Sequence, residues 1–247
     1  RTLLLCRIEA SDGNVGWGES FGPAIVHKAI IDNYYAPIII GRSPFDNEII
    51  WEILYNKFRD HGQKGLSVEA ISAIDIALWD LKGKIVQLPI WALMGGKSYD
   101  KVMPYATGLY RRRGPGEIDN LAKEAISYVE QGFRAIKLKI GFGEEYDIAA
   151  VKSVRNAIGN DIEMMVDANH AYNSTEAIRI GKEIEQYDIT WFEEPVPPED
   201  IGGYKEVKSK LSIPIAGGEA EFTRFGFHNL INERAVDILQ PDCCVTG

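Results

Sequence analysis

The stretch AIKLKIGFG, residues 135–143, reads as an inner strand that carries two lysines. Side chains alternate between the two faces of a strand, so Lys137 and Lys139 point the same way and Leu138 points the opposite way. Two like charges on one face of a buried strand need an explanation. The stretch predicts either charged partners near the end of this strand or a strand end that is open to bulk water.

Five other stretches share this strand-like character, and they recur about every 20 to 30 residues along the second part of the chain. The six predicted strands are VMPYAT, AIKLKI, IEMMVDA, TWFEEP, IPIAGGE and VDILQPD, and amphipathic helical stretches over 117–131, 144–158 and 174–187 lie between them. This alternation is typical of a parallel sheet.

Two parallel-sheet architectures compete for these units. A doubly wound open sheet usually carries a glycine-rich phosphate turn, and GLYRRRGPG does not match G-x-G-x-x-G. A (β/α)8-type barrel therefore fits better. Because six β/α units cannot close such a barrel, we expect two more beyond Gly247.

The first part of the chain has a different pattern. Residues 2–20 predict a hairpin with a turn at Ser11–Asn14, and three helical stretches follow. The clearest helix is AISAIDIALWDLKGKIVQ, with apolar residues at helical spacing. We therefore predict a small α+β domain over 1–98 and an incomplete (β/α) barrel over 99–247. The first residues already read as a strand without an initiator Met, so we expect a piece of a longer polypeptide.

Composition narrows the class of partner. The 247 residues are 45% hydrophobic and carry a formal net charge of -9. A nucleic acid or an anionic membrane needs a basic face, so neither is an expected partner. No apolar run is long enough for a membrane span. Cys6, Cys243 and Cys244 form neither a disulfide framework nor a metal-ligand spacing, which fits buried thiols in a reducing cytoplasm.

Carboxylates follow three successive predicted strands at equal spacing. Asp167, Glu193 and Glu219 are separated by 26 residues each, which is one β/α unit. Consecutive strand ends are neighbours in a barrel, so the three acids should converge at the active-site face. Their mutual repulsion requires a cation, and an all-oxygen ligand set selects Mg2+, with Mn2+ as an alternative. Each acid taken singly could instead be an ordinary salt-bridged residue.

Lys137 and Lys139 are expected to lie beside this cluster of acids. At about 6.7 Å between the two Cα atoms, and an effective dielectric of about 20, their repulsion is roughly 2.5 kcal/mol. One of the two lysines is predicted to be pushed toward neutrality and to serve as a general base, while the other stays charged and binds an anion. The alternative is two surface lysines that extend into water.

These motifs, taken together and in order, resemble the mandelate racemase-like branch of the enolase superfamily. The resemblance runs through GWGES, AISAIDIALWDLKGK, LMGGK, Lys-x-Lys, VDAN, WFEEP, GGE and QPD. It implies a capping domain followed by six-eighths of a barrel, and it places the metal ligands on Asp167, Glu193 and Glu219. It also implies Mg2+-assisted abstraction of the proton α to a carboxylate, with Lys139 as the base and Lys137 as a fixed positive charge.

The resemblance adds Asp242, in ILQPDCC, as the partner of a catalytic histidine on the seventh strand, which we expect beyond Gly247. The four histidines present do not occupy that place. His170 follows Asn169 at the rim of the predicted site and is either a substrate contact or an ordinary loop residue. The other three histidines are His27, His61 and His228.

The outcome of the reaction stays open between two enzymes and a binding protein. An acid-sugar dehydratase is favoured over a racemase or epimerase, because many relatives of this branch act on aldonic and aldaric acids. Polar residues at the strand ends also suit a polyhydroxy acid, namely Thr107, Asn169, His170 and Arg111–Arg113. A non-catalytic metal- or acid-binding relative is the third reading. We further expect a small-molecule carboxylate substrate and a homo-oligomer.

Overall fold

The computed structural model describes residues 2–247, which form two compact units. The first unit contains the residues up to Asp100, together with Glu219–His228 and Pro241–Gly247. The second contains Lys101–Gly218 and Asn229–Gln240. The predicted division of the chain near residue 98 stays a prediction.

The first unit begins with the predicted hairpin. Strands β1 (Leu4–Glu9) and β2 (Val15–Ser20) pair antiparallel, with Leu4 opposite Ser20 and Glu9 opposite Val15. The helices of this unit are α1 (Ala24–Ile30), α2 (Ala36–Ile39), α3 (Asn47–Phe58), α4 (Leu66–Val86) and α5 (Ile90–Leu93). A π-helical turn over Ile31–Tyr35 joins α1 to α2. The clearest predicted helix, AISAIDIALWDLKGKIVQ, lies in α4 and its C-terminal cap Gln87.

The GWGES motif lets β2 lie directly against α4. A Cβ atom on Gly16 would lie 2.1 Å from the carbonyl oxygen of Ala77, and one on Gly18 would lie 2.1 Å from that of Ala73. Only glycine permits such an approach of strand backbone to helix backbone. The motif is therefore a packing surface, and α4 buries its apolar stripe in the core of this unit.

The second unit contains a six-stranded parallel sheet whose strand order follows the chain. The strands are β3 (Ala106–Thr107), β4 (Ala135–Lys139), β5 (Glu163–Asp167), β6 (Ile189–Glu193), β7 (Ile215–Gly217) and β8 (Ile238–Leu239). The helices between them are α6 (Glu117–Glu130), α7 (Glu144–Ile158), α8 (Ser174–Ile184) and α9 (Ile201–Lys210). Helix α10 (Thr223–Asn232) has residues in both units. The mixed α/β class, with a parallel sheet and a small antiparallel sheet, is confirmed.

Several element boundaries differ from the sequence prediction. The strand expected from Val102 pairs only at Ala106 and Thr107, and the preceding residues 101–105 are exposed. The helix expected over 174–187 ends at Ile184 and continues as a 3-10 turn, while its start is fixed by a capping box between Asn173 and Glu176. In residues 2–247, no helix is both long and apolar enough to cross a bilayer.

Candidate active site

The register of the parallel sheet brings the predicted residues into one row. Lys139 at the end of β4 is opposite Asp167 at the end of β5, which is opposite Glu193 at the end of β6. Lys137 is opposite Thr107 of β3. Because carboxyl ends of parallel strands meet at one edge of a sheet, the row lies where a (β/α) architecture places its active site.

Both lysines are buried and paired with acids of the neighbouring strands. Lys137 is 6% exposed and Lys139 is 7% exposed, so they do not extend into bulk water. The Lys137 ammonium donates to both carboxylate oxygens of Glu193, at 2.7 and 2.8 Å, and lies 3.2 Å from Asp167. Lys139 donates to Asp167 and, at 2.9 Å, to the side-chain oxygen of Asn169. The surface-lysine alternative is therefore wrong.

These contacts determine the charge states of the cluster. Burial alone would lower the pKa of Lys137, but its hydrogen bonds to Glu193 and the nearby negative charges raise that pKa above its usual range. Burial is also the largest influence on Asp167, yet the bond from Lys139 and the charges of both lysines lower its pKa. The pKa of Glu193 is raised, first by burial and then by the charge of Asp167. Lys137 is thus a fixed positive charge.

A third carboxylate completes the acidic group. Glu219 follows β7, and the candidate ligand oxygens of Asp167, Glu193 and Glu219 all lie within 4.8 Å of one another. Asp167 and Glu193 are buried, whereas Glu219 is half-buried. The assignment of these three acids as ligands stays a proposal, which we argue below.

Some contacts of Glu193 were not predicted from the sequence. The side-chain amide of Gln240 donates to Glu193 at 2.7 Å, and the indole nitrogen of Trp191 donates at 3.3 Å. The Tyr105 ring packs edge-on against Trp191, and its centroid is 5.7 Å from the Lys137 ammonium. Gln240 belongs to the QPD motif, which the sequence pointed out. The sequence did not indicate that the amide of Gln240 contacts Glu193.

Glu194 directly follows Glu193 in the sequence, and one of its contacts is with His170. The Glu194 carboxylate is buried and lies 2.7 Å from the Nε2 atom of His170. Asn169, His170 and Glu194 have φ values of 42°, 65° and 43°. Such left-handed backbone is strained for residues other than glycine and is concentrated at functional sites. The contact between His170 and Glu194 therefore links the ends of β5 and β6, where the backbone is strained. A substrate contact of His170 stays a prediction.

The remaining predicted residues lie at separate places. Thr107 is exposed on β3, opposite Lys137 in the sheet. Asp242 accepts the backbone N–H of Cys244 at 2.7 Å, which closes its own turn. Within the arginine run, Arg111 pairs with Glu117 at 3.0 Å. Their proposed roles toward substrate or catalysis stay predictions.

Together, the strands and their ends define an α/β protein with a cluster of acids and lysines at one edge of its parallel sheet. Two family profiles match this chain. One, described as mandelate racemase / muconate lactonizing enzyme, N-terminal domain, matches residues 1–95, and the other, described as enolase C-terminal domain-like, matches residues 120–247. The chain therefore belongs to the mandelate racemase / muconate lactonizing enzyme family of the enolase superfamily.

Individual relatives carry names of sugar-acid enzymes. The chain is 46% identical to the D-galactarolactone cycloisomerase of Agrobacterium fabrum, over 100% of this chain and 65% of that protein. It is 36% identical to the arabinonate dehydratase of Saccharolobus solfataricus, over 99% of this chain and 66% of that protein. A racemase from Streptomyces coelicolor A3(2), solved with bound magnesium, superimposes with a TM-score of 0.93 at 33% identity, covering 99% of this chain and 73% of that one. The chain thus spans about two thirds of the length of these relatives.

Proposed function

We propose that Asp167, Glu193 and Glu219 bind Mg2+ and that the chain removes the proton α to the carboxylate of an acid sugar. The observation that carries this proposal is the closeness of three carboxylates beside two buried lysines. The three carboxylates outnumber the two ammonium groups, so the cluster keeps a net negative charge that a cation can balance. Oxygen ligands favour Mg2+, with Mn2+ as the alternative.

The proposed roles of the lysines follow from their contacts. Lys137, whose pKa is raised, is the fixed charge that attracts the substrate carboxylate. Lys139 in its unprotonated form accepts the α-proton, and Asn169, bonded to its Nζ atom at 2.9 Å, orients it. When bound, Mg2+ supplies further positive charge that stabilises negative charge on the substrate carboxylate oxygens.

Dehydration is the favoured outcome. The α C–H bond breaks and its proton goes to Lys139, while the electron pair forms a C=C bond as the β C–O bond breaks. The departing hydroxyl takes up a proton and leaves as water, and the enol becomes a 2-keto-3-deoxy acid. The family resemblance assigns the second proton transfer to a histidine supported by Asp242. The similarity to a dehydratase supports this outcome.

A cycloisomerase is the second candidate, because the chain is 46% identical to a protein with that name. The same proton abstraction serves both reactions. If the departing β-oxygen belongs to a ring of the substrate, the ring opens and no water is lost. The product is then an isomer of the substrate. Return of a proton to the α-carbon would instead make the enzyme a racemase or epimerase. Two other expectations, a cytoplasmic location and a homo-oligomer, stay predictions.

A substrate screen separates these outcomes. The protein, with Mg2+ added, is incubated with a panel of aldonic and aldaric acids and their lactones. Semicarbazide detects a 2-keto product, and mass spectrometry shows whether water has been lost. A keto product with loss of water supports the dehydratase, and a keto product of unchanged mass supports the cycloisomerase.

The remaining results of the screen would contradict the dehydratase proposal. Inversion at the α-carbon without a keto product indicates a racemase. Binding of Mg2+ without turnover of any acid in the panel indicates the non-catalytic relative.

A further inference from the structure

A buried carboxylate of α7 joins the two loops that follow β4 and β5. Asp147 is 0% exposed, and its carboxylate accepts the backbone N–H of Phe142 at 3.0 Å and that of Gly143 at 2.9 Å. The same carboxylate accepts the hydroxyl of Tyr172 at 2.7 Å. The first two bonds hold the loop after β4, and the third reaches the loop after β5.

The two loops also fit against each other without free space. Gly141 has a φ of 101°, and a Cβ atom there would lie 2.7 Å from the Cβ of Ala171 and 2.8 Å from the carbonyl oxygen of Ala168. The Ile140 N–H donates to the carbonyl oxygen of Asp167 at 2.9 Å. A shift of either loop therefore has to be shared by the other, because no gap separates them.

The residues proposed for proton transfer lie on these loops or next to them. Lys139 directly precedes Ile140, and Asn169 directly follows Ala168. The bond of 2.9 Å between Lys139 and Asn169 thus spans the same two loops that Asp147 and Tyr172 connect. A carboxylate that only capped α7 would need the backbone bonds and would not need the bond from Tyr172.

We propose that Asp147 and Tyr172 are positioning residues that hold Lys139 and Asn169 in register for proton abstraction. The inference rests on the proposed function for its catalytic consequence. The two residues themselves do not take part in proton transfer. Misplacement of a reacting group by a fraction of an ångström is costly for rate and much less so for binding, so the loss should fall on kcat.

The test compares two substitutions that each remove one buried tyrosine hydroxyl from the full chain. Tyr172→Phe removes the bond to Asp147 and keeps the ring, which packs edge-on against Phe192. Tyr35→Phe is the matched control, because the hydroxyl of Tyr35 donates to the backbone oxygen of Ser67 at 3.0 Å in the first unit. Both should lower the melting temperature to a similar degree.

Tyr172→Phe should lower kcat about 10- to 100-fold and leave KM within about twofold, while Tyr35→Phe should leave both nearly unchanged. Equal kcat values for the two variants, or a parallel change in kcat and KM in both, would overturn the inference. Asp147→Asn should lower kcat more than Tyr172→Phe does. The new side-chain NH2 group would face one of the groups that now donate to the carboxylate, which are two backbone N–H groups and the Tyr172 hydroxyl. If Asp147→Asn does not fold, Tyr172→Phe decides alone.

Two further measurements do not depend on turnover. Tyr172→Phe should speed amide hydrogen exchange at Phe142 and Gly143 and weaken Mn2+ binding, followed by electron paramagnetic resonance, whereas Tyr35→Phe should change neither. If the unsubstituted protein turns over none of the acids, the proposed function fails. These two measurements still test whether Asp147 and Tyr172 connect the loops after β4 and β5. Unchanged exchange and unchanged Mn2+ affinity would then overturn it.

Discussion

Two groups of charged and polar side chains, one in the first unit and one at the carboxyl ends of the parallel strands, differ in how their charges balance. In the first unit, Ser20 lies 2.9 Å from Nδ1 of His27, and Nε2 of His27 lies 2.8 Å from Glu69. His27 is 0% exposed and Ser20 is 2% exposed. At the ends of the parallel strands, Lys137 lies beside Asp167 and Glu193, and Lys139 lies beside Asp167.

The difference supports the proposal that the group of lysines and carboxylates, and not the group around His27, binds a ligand. In the first group a single carboxylate lies beside a single imidazole. Burial raises the pKa of Glu69, and the neighbouring His27 partly opposes that rise. In the group of lysines and carboxylates, the acids outnumber the bases. Burial of charge by itself therefore does not mark a site, whereas an unbalanced set of charges at strand ends does.

The largest effect is expected from a substitution that removes the third acid from the group of lysines and carboxylates. Glu219→Gln should abolish Mg2+-dependent turnover and weaken Mg2+ binding at least about tenfold, because an amide is a poorer ligand than a carboxylate. Calorimetric titration measures the affinity, and circular dichroism checks that the fold is intact. Full Mg2+-dependent turnover by this variant would show that the ligand assignment is wrong.

The next largest effects distinguish the proposed roles of the two lysines. Lys139→Ala should slow exchange of the substrate α-proton with solvent deuterium about 10²- to 10⁴-fold while substrate still binds. Lys137→Ala should weaken binding as well as rate, because it removes a fixed positive charge from both the ground state and the transition state. Nuclear magnetic resonance follows the exchange. Undiminished exchange by Lys139→Ala, on the epimer that it is meant to serve, would place the base elsewhere.

Substitution in the balanced group should affect stability alone. His27→Ala leaves Ser20 and Glu69 without their shared partner and should lower the free energy of unfolding by about 2–4 kcal/mol. The loss should be the same with and without Mg2+, since the ion stabilises the protein through its own site. Urea unfolding measures both values, and a loss that Mg2+ reverses would connect His27 to the metal site.

The smallest effect concerns a single acid on α4. Burial, with the charge of Glu48, raises the pKa of Asp75 to about 6. A pKa raised in the folded protein gives stability that is complete below the pKa of the unfolded chain and is lost as the pH rises through about 6. Asp75→Asn removes this loss, so it should stabilise the protein by about 1–2 kcal/mol at pH 7.5 and hardly at pH 4. Unfolding curves at the two pH values check this, and an equal effect at both would contradict it.

Much of the fold was predictable because it depends on local periodicity. The alternation of AIKLKI fixed which residues of β4 share a face, and the spacing of Asp167 and Glu193 matched one β/α unit. Strand ends were less predictable. β3 is two residues long, because pairing with β4 and not local propensity decides how far it extends.

The sequence by itself determined the α/β class, the family, and the acids and lysines that belong to one edge of the sheet. Only the tertiary structure decided that Lys137 pairs with Glu193 and that Tyr172 reaches Asp147. Alternation tells which face a side chain occupies, and one β/α unit of spacing tells which edge it reaches. Which partner it meets there depends on sheet register and on the packing of loops distant in sequence, and neither of these is written in a local pattern.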